Sequence, residues 1–279
     1  MPQTSQSGPA SEQASPRSPL LRFFRSVGAA VLNGIDNFGA ATIFFFKSLL
    51  LVFQRWQVKG ILEQIYFIGA STMGIIVLVA VFTGMVLGLQ LYYTLVKFGS
   101  VGVLGSAIGL SLVRELGPVL TAIMITARAG SAMTAEIGIQ RISEQIDALY
   151  TMRINPLAYL VSPRVAAALI SFPLLTALFD VVGIAGGYFS GVILVGADKG
   201  DYYYRMQSSV EWMDVMGGFA KAFVFAAIVV TVCCFHGYYT HLRREGRGAR
   251  GVSLSTTSAV VQSCVFILIS DYLITSFLL

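Results

Sequence analysis

Five long apolar runs dominate the pattern of hydrophobic and polar positions along the chain. An α-helix needs about 20 apolar residues to cross a bilayer, and the runs predict spans at about residues 65–96, 101–127, 164–195, 215–239 and 255–279. The apolar residues are continuous and do not alternate, which excludes a membrane β-barrel. The pattern predicts an all-α polytopic membrane protein with five transmembrane helices.

The residues before the first span differ in character. Residues 1–19 are rich in Ser, Pro and Gln, a composition that predicts a disordered cytoplasmic tail. In residues 20–60 arginines stand among Leu and Phe, and the apolar stretch 39–53 is short and interrupted by Lys47. We expect an N-terminal interfacial or elbow helix on the cytoplasmic face, with a distorted span as the alternative.

A polar segment, residues 134–150, separates the second and third spans. Ile139, Ile142, Ile146 and Leu149 are spaced by three and four, which predicts one apolar helix face. The opposite side carries Glu136, Gln140, Arg141, Glu144 and Asp147. An acidic face is repelled by anionic headgroups, so docking of a cytoplasmic protein is favoured over the alternative of an interfacial helix on lipid.

Charge sets the expected orientation. The chain is 56% hydrophobic and 12% charged, with a net charge of +5. Most arginines lie in the N-terminal region and in the loops at 128–164 and 241–250. The positive-inside rule places these segments, and the N-terminus, in the cytoplasm. The basic residues therefore indicate topology and do not predict nucleic-acid binding.

Motifs for catalysis or metal binding are missing from the sequence. It contains no HExxH, GxSxG or GxxxxGK[ST] pattern, and its three cysteines lie in apolar runs without metal-site spacing. We expect no catalytic residue, no metal and no cofactor bound by this chain. If ATP drives it, the nucleotide and its Mg²⁺ must bind another subunit.

Arg114 and Glu115 stand side by side near the middle of the second span. A charge there costs about 2.5–3.5 kcal/mol on insertion scales, so both should face protein or a wet cavity. Adjacent helical positions point about 100° apart, so the two need not pair. They either attract and gate an anionic headgroup or make structural bonds to neighbouring helices. Tyr92 and Tyr93 are weaker candidates for lipid contact, because tyrosines near a span end also serve as interfacial anchors.

Other polar or small residues in the spans have simpler interpretations. Lys221 and Asp271 lie near span ends, where snorkelling to the interface explains them, and no role is assigned to Asp180. A four-residue spacing of small residues predicts close helix packing, and it is present at Gly84, Gly88, Gly183, Gly187 and Gly191.

Several of these segments together resemble a known family. RELGPVLTAIMITARAGSAMTAEIG begins at Arg114, SEQ lies just after it, NPLAYLVSPR begins at Asn155, and FTGMVLGLQ begins at Phe82. FPLLT at 172–176 and GGYFSG at 186–191 agree as well. Over about residues 61–279 the chain resembles the MlaE/YrbE-type permeases, the membrane subunits of ABC transporters that work with MCE proteins.

The resemblance implies an assembly and a substrate. The permease domain, residues 61–279, would form a homodimer in a bacterial inner membrane, driven by cytoplasmic ABC ATPases that often carry a STAS-domain accessory protein. A periplasmic MCE-domain lipid-binding protein would complete it. The cargo would be phospholipid moved between the inner and outer membranes, which maintains outer-membrane lipid asymmetry.

The resemblance also implies residue roles. Residues 134–150 would be the coupling helix that docks on the ATPase. The lipid cavity at the dimer interface would involve Arg114, Glu115, Tyr92, Tyr93 and Leu89. Two rival classes stay open: an ATP-independent lipid channel or scramblase, and an intramembrane enzyme, which the missing catalytic residues disfavour.

Overall fold

The computed structural model describes residue 28 and residues 39–51, 58–242 and 248–278. These residues contain helices and turns but no strand, and five helices are long and apolar enough to cross a membrane. The predicted all-α polytopic fold is confirmed. The predicted tail, residues 1–19, and most of the predicted elbow region lie outside the described residues.

The chain divides into two compact units, residues 1–42 and 43–279. Of the first unit, residues 28 and 39–42 are described, and all are helical. An apolar helix, α1, covers Gly39–Leu51 and is shorter than a span. Phe44 of α1 belongs to the second unit and is buried. Its ring centroid lies 5.8 Å from the ring centroids of Phe235 and Tyr238.

The second unit contains seven more helices in its described part. They are α2 Val58–Lys97, α3 Val101–Ile142, α4 Gln145–Thr151, α5 Leu157–Leu194, α6 Lys199–Ser209, α7 Trp212–Tyr238 and α8 Ala249–Leu278. The start of each span except the second lies several residues before the predicted one. Polar caps explain the early start of the fourth span, because the Glu211 and Asp214 side chains form a reciprocal capping box at the start of α7.

We name each end of the bundle after the short helix that lies there. The α4 end carries α4, the loop before α5 and the turn Thr240–Leu242. The α6 end carries α6 and the turn between α2 and α3. Here Asp198 caps α6, because its Oδ1 accepts the backbone N–H of Asp201 at 2.8 Å.

The long helices are interrupted by π-helical turns, in which each turn is widened by about one residue. They lie at Tyr66–Ala70 in α2, Leu112–Leu116 and Thr126–Gly130 in α3, and Leu157–Val161 and Phe189–Leu194 in α5. Hydropathy does not reveal such turns, so the apolar pattern did not predict them.

The prediction of a separate helix at 134–150 is wrong in its boundaries. α3 continues through the second π turn to Ile142, and α4 starts at Gln145 after Glu144, whose φ is 60°. The helix does not end at Arg128 because that guanidinium is bonded inside the protein, 2.8 Å from the Phe67 carbonyl oxygen and 3.0 Å from the Thr72 hydroxyl.

The predicted apolar face of that segment is correct only at Ile146 and Leu149, which lie on α4. Ile139 and Ile142 are exposed, whereas Ile137 and Ile146 are buried. The break at Glu144 rotates α4 relative to α3, so a periodicity counted across the break does not describe one face.

Glycines hold α2 and α5 together. A Cβ at Gly84 would overlap the carbonyl oxygen of Gly183, and one at Gly88 would overlap the Ser190 side chain and crowd Gly187. Gly191 packs against a leucine of α3. These glycines lie where backbones or bulky side chains approach too closely for a larger residue, and the contacts are made within one chain.

Candidate functional site

A buried lysine connects three of the spans. Lys221 on α7 is only 2% exposed. Its ammonium donates to Glu115 Oε2 at 2.6 Å, to the Thr275 hydroxyl at 2.7 Å and to the Arg114 carbonyl oxygen at 2.8 Å. Asp271 Oδ1 lies 2.9 Å away. The snorkelling interpretation of Lys221 and Asp271 is therefore wrong, because the ammonium points into the bundle. We call Lys221, Glu115, Asp271 and Thr275 the Lys221 cluster.

The local backbone explains why the lysine is needed there. Pro118 has no N–H, so the Arg114 carbonyl four residues earlier loses its helical donor. The π turn Leu112–Leu116 lies directly before this point. Lys221 supplies the missing hydrogen bond to the freed carbonyl. The carbonyl that Pro118 leaves free in one span is thus stabilised by a charged side chain from another.

Arg114 and Glu115 do not pair with each other but with different helices. Both Nε and a terminal nitrogen of Arg114 lie 2.7 Å from Asp214 Oδ1, in the first turn of α7. The side chains of Arg114 and Glu115 are 44% and 39% exposed. These are the bonds that the structural interpretation expects, and the exposure leaves both groups open to a further ligand.

The other predicted lipid-contact residues lie elsewhere in the chain. Tyr92 is partly buried against the core and Tyr93 is 61% exposed, with ring centroids 5.8 Å apart. Leu89 is partly buried one turn earlier in α2. In the described residues no hydrogen bond or ring contact joins these three to Arg114 or Glu115. The structure of one chain does not bring the predicted set together.

The predicted coupling residues at the α4 end are mostly paired. Glu136 Oε2 lies 2.8 Å from a terminal nitrogen of Arg164, which is 3% exposed on α5. Arg141 lies 2.7 Å from Asp147 Oδ1 on α4 and donates from Nε to the His241 Nδ1 at 2.9 Å. The acidic face predicted from the sequence is therefore partly neutralised.

Two predicted coupling residues are not in these ion pairs. Gln140 Oε1 is buried without a hydrogen-bond partner among the described residues. Glu144 is exposed and forms no ion pair with any residue of the described part. Partial burial lowers the pKa of His241, and the positive charge of Arg141 lowers it further. The α4 end thus presents Glu144 as an open carboxylate beside a network around Arg141.

Sequence reasoning missed several members of this arrangement. No role was predicted for Asp214 and Thr275. Lys221 and Asp271 were interpreted as snorkelling side chains, although a lysine and an aspartate inside apolar runs are signals of a functional or structural cluster. Asp180 packs its Oδ1 against Gly117, and this atom has no hydrogen-bond partner in the described part of the chain.

Comparisons with known proteins place the chain in a family. The model of the family described as Permease MlaE matches residues 61–277. A Rickettsia felis protein named probable ABC transporter permease protein is 38% identical over 92% of this chain and 97% of its own length. The Haemophilus influenzae intermembrane phospholipid transport system permease protein MlaE is 38% identical, again over 92% of this chain and 97% of its own length. This chain belongs to the MlaE permease family.

Proposed function

We propose that this chain is the membrane-spanning permease subunit of an ABC transporter that moves phospholipids between two membranes. The observation that carries the proposal is the similarity to the Haemophilus permease over nearly the whole length of both chains. Five helices long and apolar enough to cross a membrane suit a subunit that forms a path for lipid. ATP and Mg²⁺ bind a separate ATPase.

The proposed lipid site centres on Arg114. Its guanidinium is held by Asp214 at 2.7 Å, yet the Arg114 side chain is 44% exposed, so the phosphate of a lipid can approach it. Glu115 is fixed by Lys221 and Thr275 and forms the neighbouring wall. A second copy of the chain would cover these half-exposed charges, bringing in Tyr92, Tyr93 and Leu89 across a homodimer interface.

The proposed coupling surface is the α4 end. A cytoplasmic ATPase, with or without a STAS-domain protein, docks against α4 and the end of α3, where Glu136, Gln140, Arg141, Glu144 and Asp147 lie. A periplasmic MCE-domain protein receives or delivers the lipid at the α6 end. The inner membrane of a double-membraned bacterium, with the N-terminus in the cytoplasm, is the location that suits this arrangement, and maintenance of outer-membrane lipid asymmetry is its proposed purpose.

The lipid site is tested by Arg114→Ala, with Asp214→Asn as the matched control. Both variants break the ion pair, but only the first removes the cation that would bind phosphate. Phospholipid that co-purifies in mild detergent is measured by mass spectrometry. We expect a loss of lipid in Arg114→Ala and retention in Asp214→Asn. Equal occupancy in both variants would make Arg114 a structural residue.

The coupling surface is tested by Glu144→Lys, with Glu63→Lys as a control at an exposed glutamate on α2. Reversal at Glu144 should separate ATP hydrolysis from lipid movement in the reconstituted complex, whereas the control should behave as the parent chain does. Normal transport by Glu144→Lys would remove its coupling role. Lipid movement by the purified chain without any ATPase would favour the channel or scramblase.

A further inference from the structure

A cavity at the α4 end lies apart from the Lys221 cluster and from the ion pairs of Glu136 and Arg141. Its volume is about 660 Å³, within the range of small-molecule sites. It lies between α1 and the segment that joins α4 to α5. Its lining is formed by Lys47, Leu50, Leu51, Tyr150, Arg153, Ile154, Asn155 and Leu157.

Two cations from separate elements line this cavity. Lys47 comes from α1 and Arg153 from the turn after α4, and both are exposed. Neither has an ion pair with any residue in the described ranges. None of the described residues that line the cavity carries a carboxylate. The site therefore carries an uncompensated positive charge that suits an anion.

The other lining residues are apolar or form hydrogen bonds that fix the shape of the cavity. Leu50, Leu51 and Leu157 supply an apolar floor. The Asn155 side chain accepts the backbone N–H of Leu157 at 3.0 Å, and the Tyr150 hydroxyl is 2.6 Å from that of Tyr238. Cations beside an apolar floor match a molecule with an anionic head and a hydrocarbon tail.

The backbone at Arg153 gives an independent indication. The N–H of Ile154 bonds to the Leu149 carbonyl at 2.9 Å and that of Arg153 to the Tyr150 carbonyl at 3.0 Å. This places Arg153 at the left-handed position after a helix, which glycine usually occupies, and its φ is 58°. Non-glycine residues in this conformation are strained, and such strain clusters at ligand sites. Local backbone preference does not explain an arginine here.

We propose that this cavity binds an anionic phospholipid of the leaflet at the α4 end, as a resident lipid separate from any transported one. The α4 end carries the basic loops, so the positive-inside rule makes this the cytoplasmic leaflet, which is rich in anionic lipid. Basic pockets of this kind between helices on the cytoplasmic side bind such headgroups. The lipid would contact Tyr150 on α4, so membrane composition would act on the segment proposed for coupling.

The test is lipid binding to the detergent-solubilised full-length chain, measured by native mass spectrometry. The probes are phosphatidylglycerol and phosphatidylcholine with identical acyl chains, and inorganic phosphate as a competitor. Each cation near a headgroup contributes about a fivefold preference, so the chain should bind phosphatidylglycerol about 30-fold more tightly. Equal binding of the two lipids, or displacement of phosphatidylglycerol by millimolar phosphate, would overturn the proposal.

Variants of the two cations assign the preference to this cavity. Arg153→Gly should lose about fivefold of the preference while its thermal stability stays equal or rises, because glycine relieves the strained φ. Lys47→Gln should lose a similar factor. Lys59→Gln, an exposed lysine on α2 that does not line the cavity, should change nothing. An effect of Lys59→Gln equal to that of Lys47→Gln would overturn the proposal.

The outcome is separable from that of the proposed function. Arg114→Ala is expected to reduce the amount of co-purifying lipid, because only the resident lipid remains, and to leave the preference for phosphatidylglycerol intact. If Arg114→Ala abolished the preference instead, the anionic lipid would belong to the other site, and the resident lipid would be ruled out.

Discussion

Replacing Lys221 with methionine should destabilise the bundle by about 3–4 kcal/mol. The side chain is 2% exposed and donates three hydrogen bonds to other helices. Interhelical hydrogen bonds in membrane proteins contribute about 0.6 kcal/mol each, which gives about 2 kcal/mol. The rest comes from Asp271, 18% exposed, which would lose its cation; removing one partner of a buried pair costs about 3–5 kcal/mol in total. Glu115 adds less, because its side chain is 39% exposed and water screens it.

A second variant separates the two contributions. Lys221→Met combined with Glu115→Gln and Asp271→Asn loses the hydrogen bonds but leaves no unpaired charge, so it should be destabilised by about 2 kcal/mol only. Unfolding titrated with sodium dodecyl sulfate measures both variants. Lys199→Met, at an exposed lysine of α6, is the control and should change stability by less than about 0.5 kcal/mol. If the triple variant were no more stable than Lys221→Met, the charges would not be the source of the cost.

Two further predictions concern helix packing and the α4 end. Gly84→Ala should cost about 1–3 kcal/mol in the same unfolding assay, because its Cβ would overlap the Gly183 carbonyl, whereas Gly74→Ala on the same helix has open space and should be neutral or stabilising; equal effects would contradict the packing. The pKa of His241, followed by NMR, should lie below its ordinary value of about 6.5 and rise in Arg141→Gln. Because folding lowers this pKa, the free energy of unfolding should fall as the pH drops below about 6.5; a midpoint at or above 6.5 would contradict the contact.

Hydropathy predicted the number of spans because each long apolar run is removed from water by crossing the bilayer once as a helix. Their ends were less predictable. Arg128 looked like the end of a span because it is charged, but its bonds to the Phe67 carbonyl and the Thr72 hydroxyl let α3 continue. No glycine or proline lies at the break at Glu144, so the sequence did not predict that the helix ends there.

The Lys221 cluster could be found only in part from the sequence. Charges inside apolar runs mark Glu115, Lys221 and Asp271 as unusual, yet their pairing joins residues 106 positions apart in the case of Lys221 and Glu115. One sequence contains no information on which spans are neighbours. The same limit applies to the strained Arg153, whose conformation depends on the hydrogen bonds that close the turn.

The π turns of α3 have a consequence for changes of chain length. Each residue of an α-helix advances it by about 100° around its axis. Because the widened turn Thr126–Gly130 already holds about one extra residue, deleting one residue there would restore an ordinary α-helical turn and leave Ile137 in the core and Arg141 near His241. A deletion between Gly130 and Ile137, outside the π turn, would instead rotate Ile137 and Arg141 by about 100° around the helix axis.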